Sequence, residues 1–156
     1  GVAGAAAAGH RIIIHIIHPR TVSQKLLDLI HHHADEITNN WLKDIKTNET
    51  TPTYAAFDQK KLYTRAYRVY SNLGKWISRE TTKEDIRHTY FELGRKRYQE
   101  GFPLSEVIQA FALTRRHLWL KVLHEGLLNT AMDLIEALEL NNRVVLFFDR
   151  AVFYAA

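Results

Sequence analysis

The sequence predicts an all-α fold, a single bundle of five helices, on three observations. Apolar residues recur at 3–4 spacing along nearly the whole chain beyond residue 20, the pattern of helices with one buried face. Only three Pro and seven Gly punctuate 156 residues, which favours long helices over a turn-rich β fold. Hydrophobic residues make up 46 % of the chain, enough for one domain of this length to bury a sizeable core.

Residues 1–20 stand apart. GVAGAAAAG is low in complexity, and HRIIIHIIHP is a short β-branched run ended by Pro19. With Gly1 in place of an initiator methionine, this segment reads as an unassigned arm: a non-native remnant, an edge strand or a clasp on a partner. The helical domain is expected over 21–156. Its first helix spans about Val22 to Lys46, opened by a capping box at Thr21 and Gln24, with Leu26, Ile30, His33, Ile37 and Trp41 inward. The rings of His31, His32 and His33 point about 100° apart and cannot chelate one ion. Only His33 falls on the apolar side of that phase, as a hydrogen-bonded core histidine. A polar loop with Pro52 leads to the second helix, about Ala55 to Ser78, which turns Leu62, Ala66, Val69, Tyr70, Leu73, Trp76 and Ile77 inward. Thr81 and Glu84 open the third helix, which puts Ile86, Tyr90, Leu93 and Arg97 on one face.

The stretch GFPLSEVIQAFALTRRHLW stops the third helix and launches the fourth. Gly101 suits the left-handed conformation that ends a helix, and Pro103 suits a first helical turn. The fourth helix carries a stripe of Leu104, Val107, Ile108, Phe111, Leu118 and Val122, with Arg115 inside it, and stops at Gly126. Read as an antiparallel hairpin, the two helices bring Arg115 to the level of Tyr90 or His88. The fifth helix starts near Thr130. Leu134, Leu138, Asn141, Val145, Phe148 and Val152 recur there at 4-3-4-3-4, a heptad seam with one polar position, which reads either as a homodimer interface or as one side of a central helix buried by the rest of the same chain.

Composition closes several classes of function. The net charge of +4 is mild and Lys and Arg are scattered, so no nucleic-acid footprint is expected. No apolar run approaches a membrane span. The absence of cysteine excludes disulfides and thiolate metal sites and fits a cytoplasmic protein. No triad ordering, phosphate-cradling loop or His–x–x–x–His pair supports an enzyme or a metal centre. Glu36, Glu84, Glu92 and Glu106 read as solvated.

The blocks LLDLIHHHADEITNNWLKDI, YFELGRKRYQEGFPLSEVIQAFALTRRHLW and LNNRVVLFFDRAVFYAA resemble the N-terminal sensor domain of the RsbR/RsbRD-type stressosome co-antagonists, which also precedes bacterial histidine kinases. The resemblance covers about Val22 to the end. It implies a globin-like fold without haem or other cofactor, a homodimer, and a C-terminal output domain in the full-length protein. The most informative side chains remain Arg97 and Arg115, because a desolvated guanidinium must find acceptors. The bland reading pairs them with carbonyls, tyrosines or a carboxylate. The functional one has Arg97, Arg115 and Tyr90 meet an anionic or polar small-molecule signal. A signalling sensor and dimerisation module is therefore expected, ahead of a ligand-free interaction scaffold and a small-ligand or tetrapyrrole binder.

Overall fold

The computed structural model describes residues 22–77, 83–126 and 130–155. Those residues form seven helices joined by short turns, without strands: α1 Val22–His32, α2 Ala34–Thr47, α3 Pro52–Ala56, α4 Gln59–Ile77, α5 Lys83–Gln99, α6 Leu104–His124 and α7 Ala131–Ala155. The arm at 1–20 and the capping residues Thr21 and Thr81 lie outside the described residues.

Seven helices stand where five were expected because the first two each divide. At His33 the backbone leaves helical geometry (φ −101°, ψ 18°). The ladder nevertheless continues, with His33 N–H donating to the Leu29 carbonyl and Ile37 N–H to the His33 carbonyl, both at 2.9 Å. The chain therefore bends between α1 and α2 rather than ending there. The second break is a true stop: Phe57 is extended, and Asp58 restarts the chain by accepting from the N–H groups of Lys60 and Lys61 at 3.0 and 3.2 Å. A carboxylate there satisfies otherwise orphaned donors of the first turn of α4.

The short α3 is capped from a distance. Glu106 of α6, only 6 % exposed, accepts from Thr53 N–H at 2.8 Å and from its hydroxyl at 2.5 Å. The expectation that Glu106 is solvated is thus wrong; the first turn of α3 needs an acceptor and none of its own side chains supplies one. Gly101 ends α5 at φ +86°, with Gly101 N–H donating to the Tyr98 carbonyl and Phe102 N–H to that of Arg97, both at 3.0 Å. These are the paired bonds of a left-handed helix stop. Gly126 repeats the device after α6 at φ +66°. Thr130 and Asp133 then open α7 by exchanging backbone-to-side-chain bonds of 3.1 Å.

The turn at Gly101 is a corner and not a hairpin. α5 packs along α7, whereas α6 packs on α2 and then on α1 and α7, so Arg115 is not brought alongside the α5 face that carries Tyr90. Phe102 is the cause: it is buried against Tyr54 (ring centroids 4.2 Å) and Phe57 (4.9 Å), which pulls the turn toward α3. α6 is also rotated from its expected phase. Leu104 and Ile108 are exposed, while Val107, Ala110, Leu113, Thr114, Leu118 and Val122 are buried.

The core gathers Leu26 and Ile30 of α1, Ile37, Trp41 and Ile45 of α2, Leu62, Tyr70 and Leu73 of α4, the α6 stripe, and Ala137, Leu140, Val144, Phe147 and Phe148 of α7. Two buried hydrogen bonds tie it to α6: Trp41 Nε1–H donates to the Ala110 carbonyl at 3.2 Å, and the Tyr70 hydroxyl to the Thr114 carbonyl at 2.7 Å. The histidine expectation shifts by two positions. His33 is half-buried beside Glu36 at 3.3 Å; His31 is the one whose Nε2 accepts Gly74 N–H at 3.2 Å, and burial lowers its pKa.

Candidate functional site

The turn after α5 gathers an aromatic and ionic cluster. With Phe102 driven between Tyr54 and Phe57, two guanidiniums stack on the rings: Arg65 of α4 lies 5.2 Å from the centre of Phe57, and Arg97 of α5 lies 5.9 Å from that of Phe102. Such stacking suits the flat, weakly hydrated guanidinium. Glu100, the residue before the glycine stop, sits between them. Arg65 donates to both its oxygens, at 3.0 and 2.6 Å, and Arg97 donates at 3.2 Å. Burial raises the Glu100 pKa, and the hydrogen bonds and charge of Arg65, with Arg97 behind, outweigh it and hold the carboxyl below the usual range. Arg97 is only 9 % exposed; burial and the neighbouring Arg65 pull its pKa down, opposed by Tyr54 and Glu100. Its guanidinium stays cationic. One carboxylate thus serves two guanidiniums, and the cluster keeps a positive surplus.

That surplus opens onto a groove of about 470 Å³ between α4 and α5. Arg65, Arg68, Arg95, Lys96 and Arg97 line it against one carboxylate, Glu92, and Val69 and Leu93 give it an apolar floor. Arg95 reaches Glu92 only at 3.8 Å, on the exposed surface, where such a pair is worth little. Among the described residues Arg68 and Lys96 form no ion pair.

A second groove, of about 550 Å³, lies between α2 and α6. Here the charges answer one another. His117 Nε2 lies 2.7 Å from Asp44 Oδ2, and Lys121 Nζ donates to Glu36 and Glu125, both at 2.8 Å. Burial pushes the Asp44 pKa up, and the hydrogen bonds from His117 and Asn48 more than reverse it. Among the described residues no three His, Asp or Glu side chains converge as a metal ion would require. No helix among them is long and apolar enough to cross a membrane.

Of the residues singled out from the sequence, Arg97 stands in the cationic groove. Arg115 is half-buried on α6 and does not line it, since α6 leaves the corner toward α2. The side chains of Tyr90 and Val152 lie outside the described residues. Arg65 and Arg68 went unread because they flank the apolar stripe of α4. Glu100 carried a local signal, a carboxylate at i+3 from Arg97 immediately before the helix stop. On α7, Leu134 and Leu138 are 52 % and 55 % exposed, Asn141 and Val145 half-buried, and Phe148 is 3 % exposed. Phe148 packs on Phe111 and Phe147, at 5.7 and 5.3 Å. It is therefore a core residue and unavailable to a second chain.

No curated protein and no solved structure matches the chain. Residues 35–156 match the family described as the RsbT co-antagonist protein rsbRD N-terminal domain, from the start of α2 through the groove residues to the end of α7. The chain belongs to that family of stressosome-type signalling regulators.

Proposed function

We propose that this domain is the sensing and dimerisation module of a stressosome-type regulator, passing its signal through α7 to a C-terminal output domain. One observation carries the reading: the last helix is apolar on two sides. Ala137, Leu140, Val144, Phe147 and Phe148 fill the core, while Leu134, Ile135, Leu138 and Leu146 are each more than half exposed. Four large aliphatic side chains left in water on one helix form the kind of patch that marks a protein contact. The contact proposed is a second copy of the chain meeting Leu134 and Leu138, with Val145 and the polar Asn141 at its margin. The same reading takes the arrangement as globin-like: α5 and α6 diverge at their turn and pack on distant helices, unlike neighbours in an up-and-down bundle.

Light scattering with circular dichroism tests it. Leu134→Glu with Leu138→Glu is expected to give a folded monomer from a dimeric wild type, whereas Phe148→Glu is expected to lose the helix signal. A monomeric wild type, or a dimer that survives the leucine changes, overturns the reading.

A further inference from the structure

We infer that the groove between α4 and α5 is a binding site for a small organic anion carrying two or more negative charges on an apolar or aromatic body. Five cationic side chains face it against Glu92, and the nearest further carboxylate, Glu100, is already engaged by Arg65 and Arg97. Holding like charges this close is unfavourable unless something neutralises them, and in a concave site the field of such a set concentrates on whatever enters. Four of the five are arginines, whose planar forks match the paired oxygens of phosphate and carboxylate groups.

Volume and floor set the size of the ligand. About 470 Å³ falls in the range of small-molecule sites, and Val69 and Leu93 offer apolar surface to the part of the ligand that carries no charge. The lining of α5 runs from Thr89 to Gln99, roughly 15 Å of helix. That suits a single small molecule rather than a polymer tracking a basic stripe. Nucleoside polyphosphates and aromatic or aliphatic polycarboxylates share this chemistry. Such an anion would supply the sensing half of the proposed function. Because binding is read on the single domain, its failure is distinct from failure of the dimer.

The probes are ATP without metal, inorganic pyrophosphate and citrate, titrated calorimetrically into the intact chain. Saturable binding of one anion per chain is expected. ATP tighter than pyrophosphate supports a phosphate ligand with a body on the apolar floor; citrate tighter than both supports the polycarboxylate source. Arg68→Gln with Lys96→Gln changes two exposed side chains, so the fold is kept, as circular dichroism checks. It is expected to weaken binding about tenfold or more, while Lys43→Gln in the other groove leaves it unchanged. No binding up to about 1 mM of any probe, equal binding by the Arg68/Lys96 variant, or displacement of ATP by a single-stranded RNA shared between several chains would each overturn the assignment.

Discussion

The two grooves are close in volume and opposite in electrical state. Between α2 and α6, the bases are answered by carboxylates: Asp44 holds His117, and Glu36 and Glu125 share Lys121. Between α4 and α5, one carboxylate is divided between two guanidiniums and three more cations stand outside it. Size alone would rank the grooves as equals. The difference lies in how many charges the chain has already answered within itself, and in which bases it chose. An arginine cannot give up its proton in a protein, so the α4/α5 cluster is committed to its charge.

The largest effect is therefore expected from Glu100→Ala. Arg65 and Arg97 would be left half-buried and buried with no carboxylate, at a cost of about 2 kcal/mol, below the figure for a fully buried pair because water reaches Arg65. Chemical denaturation measures it, and added pyrophosphate is expected to restore part of the loss. A variant as stable as wild type would show that the two guanidiniums do not depend on Glu100. Next comes Gly101→Ala, expected to cost about 1–2 kcal/mol. The residue sits at φ +86° with nothing within 4 Å of a new Cβ, so the penalty is conformational and not steric. It would also loosen Phe102 and Glu100, weakening the cationic cluster and leaving Asp44–His117 intact. An unchanged melting temperature would contradict the helix stop. Asp44→Asn is expected to cost least, about 0.5 kcal/mol, since the Asp44–His117 pair is a single, partly exposed contact.

Acid sharpens the same contrast. Glu100 and Asp44 are both held below the usual carboxylate range in the folded chain. Each contributes stability that is present above its unfolded value, near pH 4, and is lost as pH falls through the lower folded one. Melting temperature followed from pH 6 down to about pH 3 is expected to fall less steeply in Glu100→Gln than in Asp44→Asn, because Glu100 answers two fixed cations. Equal slopes would remove the distinction between the grooves.

Much of this was legible in the residue order. The stops at Gly101 and Gly126, the start of α7 at Thr130, and the buried positions Leu26, Ile30, Ile37 and Trp41 follow from local chemistry that needs no knowledge of distant partners. The corner at Gly101 was not legible, because Phe102 is drawn in by Tyr54 and Phe57, which are far away in sequence. Glu106 capping α3 across 53 residues was hidden for the same reason. The heptad seam failed in an instructive way. On a straight helix a seven-residue repeat drifts about 20° per heptad, so Leu134 and Phe148 are about 40° apart. The edge of the core falls between them, which leaves the first in solvent and buries the second. Arg97 was found because a cation inside an apolar stripe is visible, while its partners on α4 had no such contrast.

The bonds from Trp41 and Tyr70 to α6 have a mechanical consequence. They grip the carbonyls of Ala110 and Thr114, one helical turn apart, from two different helices. A slide of α6 by a single residue, about 1.5 Å, would break both at once and strand two buried donors. α6 is thereby a fixed spar. A displacement of α5 at the cationic groove would instead bear on α7, because α5 borders that groove on one side and lies along α7 on the other.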